Sequence, residues 1–419
     1  MTAYSPATPV GAPPATAATR EIDPIVGSLL SCIPDPTGAL AFVSGGDGLV
    51  GWGEYASLRV RGDDSATTIG HWFTGVLAGL QIDDPSGGSG PVTFVSLGFD
   101  ATDESVAVVP RVLLSRRNGR SLCTVIGDPE HRPVTPLHSP GTIRYSDATM
   151  SVAGYISAVA AATGRIRAGK LAKVVLSHDL TATTEHEVDE RFLLDALAAR
   201  YPSCWTYAVA GLIGASPEML MHRKGSAILS RVLAGTGWAE HDTDEVSADL
   251  LASSKNQDEH RYAAETVAAT LKPLCSTLEV PSAPSPLVLA NLTHLCTDIT
   301  GVLAEPAPTA LDLAGLLHPT PAVGGTPTAV AMQTIRDLES SPRGRYAGPT
   351  GWLDARGDGE FALALRCAEI RDKTVRMRAG GGIVAGSDPQ TEAREAQVKM
   401  IPIRDALESQ SGWPPARRC

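Results

Sequence analysis

Basic residues are outnumbered in this sequence. The chain of 419 residues has 35 Lys and Arg against 46 Asp and Glu, which gives a formal net charge of −11. Because phosphate recognition depends on clustered lysine and arginine, this balance argues against a protein that binds nucleic acid. Long apolar runs are missing too, since none approaches the ~20 residues of a membrane-spanning helix. We therefore expect a soluble protein with neither a nucleic-acid nor a membrane partner.

Paired cysteines are also absent. The 7 cysteines are odd in number, widely scattered and without a CxxC pair. In a chain of this length they are typical of reduced, buried thiols rather than of a disulfide framework or a zinc site. The N-terminus lacks the basic start and continuous apolar stretch of a secretory signal. These absences predict a cytoplasmic protein in which residues 1–21 form a disordered leader.

The first part of the chain is rich in predicted strands. Short β-branched runs such as Val92–Ser96 are separated by glycine, aspartate and proline clusters. One helical stretch, His71–Leu80, interrupts them. We expect a strand-rich region over residues 22–145, a catalytic region over 146–410 and a flexible tail over 411–419.

Long helices alternate with strands in the second region. Helical spacing covers Met150–Gly169, and a longer helical stretch, Asp244–Cys275, is predicted to kink near Ser253. The turn Arg356–Gly359 predicts a hairpin, and a last helix covers Pro389–Leu407. Hairpins mixed with helices favour an α+β fold with a large antiparallel sheet and flanking helices over a doubly wound parallel sheet.

Three acidic or basic residues share one face of the last helix. Glu392, Glu395 and Lys399 follow each other at intervals of three and four residues. Taken alone, such spacing is more typical of a solvated salt-bridge stripe than of a functional site. Glu259 lies in the other long helix, and two helices that each offer a carboxylate could hold Mg²⁺. A lone glutamate on a helix is also an ordinary surface residue.

Charged residues and glycines at strand ends form another group. Lys173 begins an apolar strand, where burial would depress its pKa and make it a general base. The alternative is a lysine whose side chain reaches solvent at the edge of the sheet. Glu218 follows a proline at a strand end. Arg366 lies among alternating apolar residues and needs a partner, which a ligand carboxylate would supply. The glycines 380–382 fit an anion site or a tight turn.

The order of these residues along the chain carries more information than any one of them. The strings that contain them are Lys173–Ser177, Gly214–Glu218, Leu233–Thr236, Ser254–Lys255 with Glu259–His260, His294–Leu295, Leu317–Val323, Arg343–Pro349 with Gly351–Trp352, Arg366–Ala368 and Ala379–Pro389 followed by Glu392, Glu395 and Lys399. In order and type, over residues 150–407, they resemble the chorismate-utilising family of isochorismate, salicylate, anthranilate and aminodeoxychorismate synthases.

Within that family the strings most resemble those of the isochorismate synthases. Ala234 precedes Gly235-Thr236, whereas aminodeoxychorismate synthases have a nucleophilic lysine there. The string His318–Ala322 has the isochorismate synthase form. Two positions depart from the family pattern: His178 stands where an arginine is common, and Ala396 where a threonine or serine is common.

The resemblance implies roles for individual residues. Lys173 would be the general base that activates water to attack C2 of chorismate, and Glu218 the general acid that protonates the departing C4 hydroxyl. Mg²⁺ would be held by Glu259 and Glu395, with Glu392 assisting through water. The residues implied in substrate binding are Gly235, His294, Ala322, Tyr346, Arg366, Gly380 and Lys399.

The resemblance also implies partners and leaves alternatives open. It indicates a Mg²⁺-dependent isomerase that takes chorismate as substrate, needs no glutaminase subunit and works as a monomer in siderophore or menaquinone biosynthesis. A salicylate synthase, which goes on to eliminate pyruvate, is the main alternative. Less favoured alternatives are an anthranilate synthase component I-like enzyme and a non-catalytic chorismate-binding regulator.

Overall fold

A single sheet joins the strands of the protein. The computed structural model describes residues 14–88, 90–129, 132–238, 243–289 and 292–409. The strands are β1 (Ala15–Ile22), β2 (Leu40–Ser44), β3 (Asp47–Val60), β4 (Leu80–Asp83), β5 (Val92–Ser96), β6 (Ser105–Arg117), β7 (Arg120–Ile126), β8 (Ile143–Asp147), β9 (Lys173–Thr184), β10 (Trp205–Val209), β11 (Leu212–Ser216), β12 (Met219–Lys224), β13 (Ala227–Trp238), β14 (Cys275–Glu279), β15 (Ser285–Val288), β16 (Leu292–Leu303), β17 (Gly325–Thr326), β18 (Pro349–Asp354), β19 (Gly359–Leu363), β20 (Cys367–Arg371) and β21 (Thr374–Ile383). All 21 described strands belong to it. The strand pairs are antiparallel, with the parallel pair β1 and β4 as an exception.

Eight α-helices flank this sheet in the described part of the chain. They are α1 (Ser65–Ala78), α2 (Val152–Arg167), α3 (Glu190–Arg200), α4 (Thr243–Ala252), α5 (Ser254–Leu271), α6 (Ala310–Leu317), α7 (Thr328–Leu338) and α8 (Pro389–Glu408). The predicted α+β class with a large antiparallel sheet is confirmed. Within the described ranges, none of the helices combines the length and the hydropathy that crossing a bilayer requires.

Two predicted local features have a clear structural basis. The kink expected near Ser253 is a break between α4 and α5, where the Ser253 side chain accepts a hydrogen bond from the Asn256 backbone N–H and caps α5. The turn at Arg356–Gly359 joins β18 and β19, and Gly357 adopts a φ of 82° there. Gly357 supplies a backbone conformation that other residues rarely adopt.

The predicted disordered leader is wrong over its last third. Residues of β1 pair with β7 and with β4, and Thr19 is buried, its hydroxyl 2.9 Å from that of Thr124. The run of alanine and threonine around Thr19 has little apolar alternation, so its order comes from ladder hydrogen bonds to strands far along the chain. Residues 1–13 and the predicted tail at 411–419 lie outside the described residues.

The sheet separates two clusters of buried apolar side chains. Leu212 and Ile213 are neighbours in β11, yet Leu212 packs in one cluster and Ile213 in the other. Because successive side chains of a strand point to opposite faces, each face of the sheet is covered by its own core. Val174 and Leu176 of β9 pack in the first cluster, and Lys173 begins the part of this strand, Lys173–Asp179, that is buried throughout.

Candidate active site

The paired strands β9 and β21 form the floor of the site. In their antiparallel register Ser177 lies opposite Gly380, Leu176 opposite Gly381 and Val175 opposite Gly382. The glycines therefore belong to a strand, and the tight turn considered as an alternative is wrong.

Two of these glycines make room for side chains above the strand. A Cβ atom on Gly382 would lie 2.4 Å from Oε1 of Glu259 and 2.8 Å from Cε of Lys173, and one on Gly381 would lie 3.0 Å from Oε2 of Glu392. Real Cβ atoms essentially never make contacts as short as those at Gly382, and the contact at Gly381 is shorter than most. A residue larger than glycine at these two positions would displace the candidate base and the carboxylates. The sequence analysis did not predict this need for glycine at positions 381 and 382.

Lys173 and Glu259 form an ion pair. Lys173 is 1% exposed, and its Nζ lies 2.9 Å from Oε1 of Glu259, which α5 presents. A lysine that reaches solvent at the sheet edge is excluded by this burial. His260, the next residue on α5, points elsewhere: its Nε2 lies 2.7 Å from the Thr297 hydroxyl and its Nδ1 3.3 Å from the Ala234 carbonyl oxygen.

Helix α8 supplies the second ion pair. Lys399 Nζ donates to Glu395 Oε1 at 2.5 Å and to the Gly380 carbonyl oxygen at 3.0 Å. Glu392 is 4% exposed and Lys399 8%, so the face of α8 that carries them is buried and the solvated stripe is excluded. Burial alone would raise the pKa of Glu395, but the Lys399 ammonium and a hydrogen bond with Thr236 lower it below its usual value.

Glu218 lies buried at the end of β11. Its backbone N–H donates to the Ser216 hydroxyl and its carbonyl oxygen accepts from the Leu363 N–H, which fixes the residue between β11 and β12. Burial raises the pKa of Glu218 to about 8, although the Leu233 backbone and the charges of Lys173, Arg366 and Lys399 oppose the shift. The Glu218 carboxyl is therefore mostly protonated at neutral pH and lies within electrostatic reach of those three cations.

Arg366 and His294 form a hydrogen-bonded unit. Arg366 occupies the turn between β19 and β20 with a φ of 49°, a conformation uncommon for residues with a Cβ. It donates to Nε2 of His294 at 3.2 Å, so Nδ1 of His294 carries the hydrogen and donates to the Gly235 carbonyl oxygen at 3.1 Å. Burial and the charges of Arg366 and Lys399 lower the pKa of His294 to about 3, and the ring stays neutral. Within the described residues Arg366 forms no ion pair, which leaves its charge available to a ligand.

The remaining predicted residues surround this group at different depths. Tyr346 is 8% exposed, and burial raises its pKa to about 12. Gly235 lies at a bulge of β13 with a φ of 78°. Ala322 is half-buried in the loop before β17 and is linked to Lys173 indirectly, because Thr326 of β17 pairs with Lys173.

The carboxylates of α5 and α8 have the donor chemistry of a magnesium site. Glu259, Glu392 and Glu395 all lie within 4 Å of a Cβ built on Gly381 or Gly382, and they offer the hard oxygen ligands that Mg²⁺ prefers. In the described part of the chain no three acidic, histidine or cysteine side chains already form a ligand cluster. Glu259 is ion-paired with Lys173 instead, and Glu395 with Lys399. The two lysines thus supply positive charge to the carboxylates that a bound metal ion would otherwise neutralise.

The fold and this site define the class of protein. A family model described as chorismate binding enzyme matches residues 131–408, and the chain belongs to this family. The match contains all the candidate site residues.

Individual relatives are isochorismate synthases. The chain is 40% identical over 267 residues to isochorismate synthase DhbC of Bacillus subtilis, covering 60% of this chain and 67% of that protein. It is 39% identical over 241 residues to the vibriobactin-specific isochorismate synthase of Vibrio cholerae, covering 56% of this chain and 61% of that protein. The structure of MenF, the menaquinone-specific isochorismate synthase from Escherichia coli, superposes with a TM-score of 0.77 at 25% identity, covering 94% of this chain and 96% of that one.

Proposed function

We infer that this protein is an isochorismate synthase, an isomerase that converts chorismate into isochorismate. The observation that carries the assignment is one cluster of charged groups: the buried Lys173, the buried and protonated carboxyl of Glu218, and Arg366, which has no ion-pair partner among the described residues. Among known relatives the same step serves different end products. The assignment therefore concerns the isomerisation and not the later use of isochorismate.

In the proposed reaction two proton transfers accompany one exchange of hydroxyl groups. Lys173, in its neutral amine form, accepts a proton from water as the water oxygen bonds to C2. The ring double bond shifts, and the C4 hydroxyl leaves as water with the proton that Glu218 donates. Because one water enters and one leaves, no oxidant, reductant or ammonia is needed, and we propose that the enzyme works without a glutaminase subunit.

Substrate binding requires positive charge in an acidic protein. A net charge of −11 repels the two carboxylates of chorismate, so attraction must come from local cations. We propose that Arg366 and Lys399, with Tyr346 and the Gly380 N–H, bind the enolpyruvyl carboxylate. His294 and Gly235 hold Arg366 in place, and Ala322 lines the ring.

Mg²⁺ would be held by Glu259 and Glu395, with Glu392 assisting through water. When bound, the ion would supply positive charge to the ring carboxylate of chorismate. Six described cysteines are free thiols, which suits a reducing compartment, and we propose a cytoplasmic monomer.

The pH dependence of catalysis should report the protonation of Glu218. Glu218 must carry its proton in order to donate it, and its pKa of about 8 in the free enzyme lies above the usual value. We therefore expect kcat/KM to fall about tenfold per pH unit above about pH 8. The residual activity of Glu218→Gln should lack this decline, and a decline that persists unchanged in this variant would assign it to another group.

The reaction should stop at isochorismate. Pyruvate elimination requires the C2 hydrogen to reach the enolpyruvyl methylene, so the outcome depends on the rotamer in which the pocket holds that side chain. Incubation of the enzyme with chorismate and Mg²⁺ near neutral pH should give a chorismate–isochorismate mixture that is reached from either side. Chromatography, salicylate fluorescence and a coupled pyruvate assay follow the products. Stoichiometric salicylate and pyruvate would identify a salicylate synthase instead.

A further inference from the structure

Strand β9, which begins with Lys173, lacks a neighbouring strand along part of one edge. On one side β21 pairs with it from Thr183 to Val174. On the other side, within the described residues, β17 pairs with Lys173 and Val174, and β8 pairs from Leu180 onward. Residues 175–179 lie between these two pairings and are buried. Buried backbone N–H and C=O groups need hydrogen-bond partners.

The Val175 N–H donates to the Gly324 carbonyl oxygen at 2.8 Å, and two side chains from the segment after α7 bond to the Val175 carbonyl oxygen and the Ser177 N–H. Arg343 Nη2 donates to the Val175 carbonyl oxygen at 2.7 Å, and Glu339 Oε1 accepts from the Ser177 backbone N–H at 2.9 Å and from its hydroxyl at 3.1 Å. Arg343 and Glu339 also bind each other through Nε and Nη2, and their side chains are 2% and 3% exposed. The pair thus fills the place of a strand beside β9.

The same arginine also holds the loop that carries Ala322. Arg343 Nη1 donates to the Val323 carbonyl oxygen at 2.9 Å, so one planar guanidinium bonds both to the strand of the candidate base and to the loop proposed to line the ring. A fork of fixed geometry sets the distance between the two backbone segments, which a flexible ammonium would not do.

An aromatic ring from the N-terminal part of the fold packs on one face of this guanidinium. The ring centroid of Phe99 lies 4.2 Å from Cζ of Arg343, a cation–π contact, and the Phe99 ring meets that of His318 edge-on at 5.4 Å. His318 Nε2 donates to the Phe99 carbonyl oxygen at 3.0 Å. Arg343 is therefore constrained by the carboxylate, by the two carbonyls and by an aromatic ring.

We propose that Arg343 and Glu339 are positioning residues for the isomerisation. They fix the separation between the strand of Lys173 and the loop of Ala322, without contacting the substrate themselves. The proposal rests on the proposed function, because it assigns to Lys173 the role of general base. Misplacement of a reacting group by about 1 Å can cost about 10²-fold in rate.

The test compares Arg343→Lys and Glu339→Gln with a matched control, Arg191→Lys. Arg191 is also buried, is paired with Asp189 and donates to the carbonyl oxygens of Pro34 and Thr135. All three variants should lower Tm. We expect kcat per folded molecule to fall about 10²-fold in the first two, with a smaller change in KM, and to stay at the wild-type value in the control.

A double-mutant cycle separates positioning from stability. If Arg343 acts through Lys173, then adding Arg343→Lys to Lys173→Ala should lower the residual rate little further, whereas the Tm losses should still add. Wild-type kcat in both Arg343→Lys and Glu339→Gln would overturn the proposal and leave a structural role. Should Arg343→Lys fail to fold, the near-isosteric Glu339→Gln applies the same criterion. Wild-type turnover by Lys173→Ala would instead remove the proposed function.

Discussion

Lys173→Ala and Glu218→Gln should each lower kcat by about 10²-fold or more, with little change in KM. A positioned acid or base contributes a factor of about this size, and neither residue is proposed to bind the carboxylates of chorismate. Both side chains are buried, so water cannot easily replace them as proton acceptor or donor. The measurement is steady-state kinetics on variants whose Tm shows that they are folded.

Two exposed residues provide controls for this experiment. Lys170→Ala removes a lysine from the loop before β9, and Glu187→Gln neutralises a carboxylate without changing its shape. Both should retain wild-type kinetics. Wild-type turnover by either active-site variant would contradict the assigned roles of acid and base.

Removal of the metal should abolish turnover. EDTA should bring the rate below detection and Mg²⁺ should restore it, because binding the ring carboxylate in a protein of net charge −11 requires local positive charge that the ion would supply. Glu259→Gln and Glu395→Gln should need far more Mg²⁺ or remain inactive. Full activity of the wild-type enzyme in EDTA would contradict a catalytic metal site on α5 and α8.

The metal can also be followed without catalysis. Isothermal titration calorimetry should show Mg²⁺ binding to the wild-type protein and weaker binding to Glu259→Gln and Glu395→Gln. Glu265→Gln is the matched control, since Glu265 lies on the outer face of the same helix as Glu259 and pairs there with Arg261. Equal Mg²⁺ affinity in all four proteins would place the ion elsewhere.

The sequence by itself determined the family and the identity of the candidate residues. The order of strings from Lys173 to Lys399 is a property of the chain, and helical spacing alone placed Glu392, Glu395 and Lys399 on one face of α8. The mixture of hairpins and helices likewise determined the α+β class. These inferences succeed because they depend on local periodicity and on residue order.

Only the tertiary structure decided which of the alternatives for each residue holds. Whether Lys173 reaches solvent, whether the face of α8 is solvated and whether Gly380–Gly382 turn or lie in a strand all depend on the packing of β9, β21 and the helices above them. The pKa of Glu218 also depends on burial by distant residues. The partnership of Arg343 with the edge of β9 could not be read locally, because 168 residues separate Arg343 from Val175 and long-range pairing leaves no periodic signal in the chain.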